Sequence, residues 1–311
     1  MRNLILLLAI VGATGAFAQS DPHATVKAQH LTVSLLVPDR ELYYGDHFTA
    51  GLDFKLEEGW HVYWTNAGDS GEPPTIDWKL PKGITAGAMQ FPAPKRLPLG
   101  PLMDFGYEDE VVFPIPLRLE SMQAASPSFK PNPVPIAAHV TWLVCREVCL
   151  PGKADLALER PIAGVPEGSP GNIPAFHLID KFQAQIPKPL PTTDSATFQT
   201  TPQGFLLNVD TGKKQSTAQF FPLDETVIAN AAPQPAKPTA DGVDLTLKKD
   251  ENLQGKPQTL NGVIELADGS AYVIHATPAT TAATHSAGGP GDSGGLLKAA
   301  IFAFLGGIIL N

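Results

Sequence analysis

The sequence predicts an all-β protein: two β-sandwich domains, a flexible tether and the start of a transmembrane helix. Three observations lead there. Short apolar runs alternate with polar residues at period two, as in residues 48–54, where Phe48, Ala50, Leu52 and Phe54 share one face. The chain holds 31 prolines and 28 glycines, enough to punctuate many short strands yet below the level that marks disorder. Over residues 262–275 two β-rich runs are joined through Asp268-Gly269, a two-residue hairpin signal.

Taken in order, residues 1–18 have the pattern of an export signal: Arg2, an apolar run over 4–11, and Ala16-Phe17-Ala18 ahead of Gln19. That apolar run is too short to span a bilayer, so a mature chain starting at Gln19 is expected. Residues 19–165 make the first domain, with strands expected over 30–37, 48–54, 59–64, 84–91, 111–119, 136–144 and 154–158. Many short strands separated by turns point to a sandwich of immunoglobulin-like type. Residues 166–194 connect the first domain to the second. Asn172 can cap a helix over 174–185 whose Phe176, Ile179 and Phe182 share one face, and the proline-rich run 186–191 is a stiff linker. Residues 195–277 form a second β domain of immunoglobulin-like type, with strands over 205–209, 218–221 and 243–247 besides the hairpin. It carries no cysteine and no catalytic cluster, which leaves it a spacer or docking role. Residues 278–294, rich in Thr, Ala, Gly, Ser and Pro, are the tether. In 295–311 the only charge is Lys298, and the 13 residues after it are too few to cross, so the segment is expected to be the start of a truncated transmembrane helix.

The formal net charge is −9 and no basic stripe exists, which excludes nucleic acid as a natural partner. Chemistry must come from elsewhere. The only two cysteines, Cys145 and Cys149, sit four residues apart, and in an exported protein such a pair forms a disulfide. As a staple it is poor, because closing a loop of about five residues stabilises by only roughly 2 kcal/mol. Strand-like flanks on both sides place the pair at a hairpin tip, with Pro151-Gly152 supplying turn chemistry beside it. A fully extended five-residue segment holds its ends roughly 13 Å apart, so the chain must fold back to close the bond. Strained, exposed disulfides are the labile, catalytic ones, which favours a redox-active pair over an inert staple or a metal site. Arg146 favours thiolate at this tip and Glu147 opposes it.

Other constellations carry less. Gly291-Asp292-Ser293-Gly294-Gly295 imitates a serine-protease nucleophile segment but lies in the tether, without the rigid scaffold a triad needs, and Gly68-Asp69-Ser70-Gly71 has the composition of a turn. His61, His139, His177 and His275 are scattered, and each is expected to be an ordinary strand or surface residue. Cys145 and Cys149 with Met89, Met103 or Met122 could hold soft Cu(I), though no Met- or His-rich tract supports it. The aromatic segment 102–107, containing Asp104, Phe105, Gly106 and Tyr107, has the composition of a shielding lid, with core packing of Phe105 as the alternative.

Four segments together resemble a known family: Gly-Trp-His-Val-Tyr-Trp at 59–64, Asp-Phe-Gly-Tyr at 104–107, the cysteine segment 142–153, and the terminal run 304–311. They are similar to the periplasmic N-terminal part of the DsbD family of thiol:disulfide interchange proteins, and especially to its ScsB-like branch with two immunoglobulin-like domains before the membrane. The resemblance implies a protein-disulfide reductase without a cofactor. Reducing equivalents would pass from the cytoplasm through a cysteine-bearing transmembrane domain of the same protein to periplasmic thioredoxin-fold or peroxiredoxin-like disulfide proteins. It further implies that Cys149 forms mixed disulfides, that Cys145 resolves them, that Phe105 with its neighbours Asp104, Gly106 and Tyr107 caps the pair, and that Trp60 and Tyr63 flank it. The competing expectation is a copper-binding or docking module of the envelope whose disulfide is purely structural.

Overall fold

A computed structural model describes residues 24–120, 133–163 and 174–279. The first part of the chain runs β1 (Ala24–Ala28), β2 (Leu31–Leu36), β3 (Leu42–Tyr43), β4 (His47–Leu56), β5 (His61–Gly68), β6 (Thr75–Lys79) and β7 (Ile84–Ala86). It continues through β8 (Lys95–Leu99), β9 (Leu102–Glu108), β10 (Glu110–Leu119), β11 (Val134–Cys145), β12 (Cys149–Arg160) and β13 (Ile162–Ala163). One sheet has the order β1-β2-β4-β10-β7, and the sheet facing it has the order β12-β11-β5-β9-β8 with β6 pairing β11.

The alternation seen in the sequence sets the register. Phe48, Ala50, Leu52 and Phe54 of β4 stand opposite Leu117, Ile115, Phe113 and Val111 of β10, all buried. Phe54 joins the two sheets, meeting Phe113 edge-on at 5.9 Å and Trp142 of β11 at 5.8 Å. Burying one such ring stabilises by roughly 1.5–3 kcal/mol, and Phe54 is one of many buried side chains of both sheets that share this core. Pro114 and Pro116 fit in β10 because their carbonyls, and hence their missing N–H groups, face away from β4; Gln90 and Gly87 donate to those carbonyls.

Helix α1 (Pro174–Gln183) seals the outer face of the first sheet with Ile179 and Phe182. The approach depends on Gly51, where a Cβ would stand 2.6 Å from Val112 Cγ1 and 3.0 Å from Ile179 Cγ1. After it come β14 (Lys188–Pro189), β15 (Ser195–Thr200), β16 (Gly204–Asp210), β17 (Ala218–Pro222), β18 (Ala236–Pro238), β19 (Gly242–Lys248), β20 (Leu260–Leu266) and β21 (Ala271–Pro278). They form an eight-stranded sheet over a second core of Phe205, Leu207, Phe220, Leu245 and Ile264. The β20–β21 reversal falls at Asp268-Gly269 as expected, but as a three-residue turn over Ala267, Asp268 and Gly269: Gly269 has φ +79°, its N donates to Leu266 O at 2.9 Å, and Ser270 N donates to Asp268 Oδ1 at 3.0 Å.

The architecture is all-β and immunoglobulin-like, with a single helix among the described residues. Both sheet systems belong to one compact unit ending at Pro278. Phe221 and Val263 of the C-terminal sheet join the N-terminal core, and Phe221 meets Phe105 edge-on at 5.4 Å and Trp64 at 6.3 Å. Three local expectations change. Residues 102–107 are strand β9 rather than a lid-like turn, Pro151-Gly152 lie inside β12, and the strand expected over 84–91 stops at Ala86. Each difference has one cause: cross-strand pairing outweighs the local turn or strand preference of a short segment. The export signal, the tether from residue 280 onward and the terminal apolar segment lie outside the described residues, among which no helix is long and apolar enough to cross a membrane.

Candidate active site

The hairpin of β11 and β12 carries the sulfurs. Its register runs unbroken from Val134↔Arg160 to Cys145↔Cys149, so both cysteines stand directly opposite each other where the strands end. They are disulfide-bonded, with Cα atoms 4.2 Å apart. The reversal is Arg146-Glu147-Val148, closed by Arg146 N donating to Val148 O at 3.2 Å. Behind it Trp142 faces Gly152, and a Cβ there would stand 2.3 Å from the indole, so the glycine is what lets the ring lie across the hairpin. Exposure divides the pair: Cys145 is 0% exposed, Cys149 is exposed, and the neighbouring Val148 is 62% exposed.

The sheet then delivers polar groups to the same face. His61 of β5 is the ladder partner of Cys145, and Tyr63, two residues on, points the same way, the two rings meeting edge-on at 5.1 Å. Tyr63 Oη lies 3.5 Å from Cys149 Sγ. A disulfide sulfur bears no hydrogen, so the hydroxyl donates. Across the ladder, Tyr63 pairs with Gly106 of β9, which puts Asp104 on this face as well. Asp104 is fully buried; Ser70 Oγ donates to its two oxygens at 2.9 and 3.1 Å, and its Oδ2 lies 3.5 Å from His61 Nε2, a buried nitrogen with no hydrogen-bond partner. Gly106 is required for close strand approach, since a Cβ would stand 2.2 Å from the Val62 carbonyl oxygen. Burial, followed by the charge of Asp104 and reinforced by a hydrogen bond to that carboxylate, pushes the Tyr63 hydroxyl up to about 12, so at neutral pH it keeps its one proton, which Asp104 and the sulfur compete for.

The other expected site residues are distributed around this centre. Arg146 and Glu147 are exposed at the tip, the Arg146 side chain reaching over Gly59. Trp60 is buried and stacks on His30 at 3.8 Å. Phe105 is the correction. Alternation along β9 sends Asp104 and Gly106 to the sulfur face and Phe105 and Tyr107 to the opposite one, where Phe105 is 0% exposed against Phe221 and Tyr107 Oη donates to Pro92 O at 2.7 Å. Phe105 therefore does not cover the pair. The segment over Tyr63 is the loop after β5, where a Cβ on Gly71 would stand 2.1 Å from Tyr63 Cζ. That loop has the composition of an ordinary turn, and His61 stands alone in a strand-like run, so neither is conspicuous in the sequence. Period-two alternation of His61 and Tyr63 in a strand could have flagged the histidine, whereas nothing local identified the loop.

Among the described residues no group of three or more His, Cys, Asp or Glu is arranged to hold a metal ion. Met89 and Met103 pack against the hydrophobic core, and Met122 lies outside the described residues. What the arrangement can do is exchange thiols: one accessible sulfur, one sheltered sulfur, and a hydroxyl donor at the accessible one.

Residues 32–161 match the family model described as thiol:disulfide interchange protein DsbD, N-terminal. Among solved structures, the N-terminal periplasmic domain of ScsB from Proteus mirabilis has a similar fold, with TM-score 0.61 and 16% identity over 84% of this chain and 100% of that one. No curated protein sequence matches the chain.

Proposed function

We propose that residues 32–161, a DsbD-type N-terminal domain, work as a periplasm-facing thiol–disulfide exchange unit that reduces partner proteins through Cys149 and Cys145. The observation that carries this is the unequal exposure of the two sulfurs, Cys149 open at the hairpin tip and Cys145 closed off. In the reduced domain the Cys149 thiolate attacks a partner disulfide, forming a mixed disulfide and expelling the partner's other sulfur as thiolate. Cys145, as thiolate, then attacks Cys149 Sγ, closing the internal bond and releasing the partner as a dithiol with two added electrons. Re-reduction reverses these steps with a membrane-borne dithiol, which also meets Cys149 first. The Tyr63 hydroxyl assists whenever Cys149 is thiolate by donating to it.

In the full reading, residues 19–165 are the redox domain, 166–194 the connector, 195–277 the second domain, 278–294 the tether and 295–311 the entrance to a membrane anchor. A second hydrophobic cluster in the C-terminal sheet supports the division; of that sheet's buried apolar residues only Phe221 and Val263 join the N-terminal core. Recipients are periplasmic thioredoxin-fold or peroxiredoxin-like disulfide proteins, and the electron donor is a cysteine-bearing transmembrane domain of the same protein.

The test is trapping. Cys145→Ala is expected to accumulate a covalent complex with a disulfide-containing recipient and Cys149→Ala to give none; complexes from Cys149→Ala alone would reverse the two roles. A reduction potential below about −300 mV for the pair would instead mark a structural bridge and end the exchange reading.

A further inference from the structure

The loop over Tyr63, residues 69–74, is tied to three residues, and one of them, Asn230, lies in the turn segment between β17 and β18 of the C-terminal half. Within the N-terminal sheets, Ser70 donates to Asp104, Asp69 N donates to Met103 O at 3.0 Å, and Met103 N donates to Asp69 Oδ2 at 2.8 Å. The remaining carboxyl oxygen, Asp69 Oδ1, accepts from Asn230 Nδ2 at 2.9 Å. Asn230 is only 8% exposed; its backbone carbonyl accepts from Arg96 Nη2 of β8 at 2.6 Å, which anchors its backbone beside the loop, while its side-chain Oδ1 is buried without a partner. A second link lies just before the loop: Asn66 Nδ2 donates to Pro222 O at 2.9 Å while its Oδ1 accepts from Gly68 N at 3.0 Å. With φ +86° and no room for a Cβ, Gly71 presses backbone against the Tyr63 ring, so where the loop sits determines where the Tyr63 hydroxyl sits.

We propose that Asn230 is a positioning residue for the redox site: by holding Asp69 it keeps loop 69–74 closed on Tyr63, and so keeps the Tyr63 hydroxyl at Cys149. The C-terminal sheet is then part of the redox machinery rather than a spacer. By linkage, a ligand or partner that pulls on the segment around Asn230 loosens the Tyr63–Cys149 contact, and loss of that contact loosens the segment in turn. The consequence for exchange rests on the function proposed above; the latch itself does not.

Amide hydrogen exchange and Cys149 alkylation in the full chain separate the two. In the oxidised protein, Asn230→Ala should raise exchange at the Asp69 and Met103 amides by about tenfold, the factor expected when a hydrogen bond to a charged group worth roughly 1.4 kcal/mol is lost. In the reduced protein, the pH of half-maximal Cys149 alkylation should move in the same direction as in Tyr63→Phe, by a smaller amount. Because Asn230→Ala could loosen the whole C-terminal sheet, the double variant Asp69→Asn with Asn230→Asp is the control: it exchanges donor and acceptor and should restore both readouts. Wild-type exchange at Asp69 and Met103 in Asn230→Ala, or no recovery in the double variant, overturns the latch. Failed trapping by Cys145→Ala with normal latch behaviour would overturn only the exchange function.

Discussion

Asp53 offers the sharpest test of the physical chemistry. It lies on β4 between Ser34 of β2 and Val112 of β10, 3% exposed, with Oδ1 unpartnered and the Lys55–Glu110 ion pair close by. Burial, then the charge of Glu110, raises its carboxyl from 3.8 to about 7. The folded state thus binds this proton more tightly than the unfolded state does, so folding stability falls as pH rises through the window from about 4 to 7 and is level above it. Three pKa units at 1.36 kcal/mol each make the loss about 4 kcal/mol, a large share of the 5–15 kcal/mol that holds a typical domain. Asp53→Asn keeps the shape and removes the titration. Urea unfolding of both proteins in the oxidised form, at intervals from pH 4 to 8.5, should show the variant gaining on wild type by about 1.4 kcal/mol per pH unit up to pH 7 and by nothing further beyond. Subtracting the two curves cancels the titrating groups that do not interact with Asp53, leaving Asp53 together with its coupled neighbours Lys55 and Glu110. A difference that stays flat across this range would refute the raised pKa, and one that narrows with rising pH would reverse its sign.

Two further outcomes concern the hairpin. Tyr63→Phe removes the hydroxyl 3.5 Å from Cys149 Sγ. At the low end of the 1.5–3 kcal/mol typical of hydrogen bonds to charged groups, the midpoint of Cys149 alkylation should rise by about one pH unit, and an unmoved midpoint would deny the contact a role in the reduced state. Gly152→Ala places a methyl into the Trp142 indole and should cost about 1–3 kcal/mol as overpacking, read from the urea midpoint and the tryptophan fluorescence. An unchanged midpoint would mean that the indole is not held across the glycine.

The fold was legible wherever burial on one face leaves a period-two mark. Phe48 to Phe54 announced β4, Val140 to Val144 part of β11, and Asp268-Gly269 the β20–β21 turn. Strands β1, β6 and β8 were not legible: Ala24–Ala28, Thr75–Lys79 and Lys95–Leu99 alternate between exposed and half-buried residues for most of their length, so their apolar contrast is weak and their pairing is decided by neighbours distant in sequence. At the site, Cys145, Cys149 and Tyr63 were named from sequence and the structure brings them together. Phe105 was also named, but its facing depends on the parity of β9, which a segment mistaken for a turn does not reveal.

Alternation, turn residues and thiol spacing are local properties of the chain, so the class of sheet and the hairpin that holds two cysteines four residues apart could be read directly from the residues, together with the exchange chemistry open to such a pair. Long-range packing alone sets which sulfur faces solvent, that Tyr63 rather than Phe105 meets it, and that Asn230 reaches Asp69 from 161 residues away. Those outcomes depend on strand parity and on packing between two sheet systems, and no short stretch of sequence contains either.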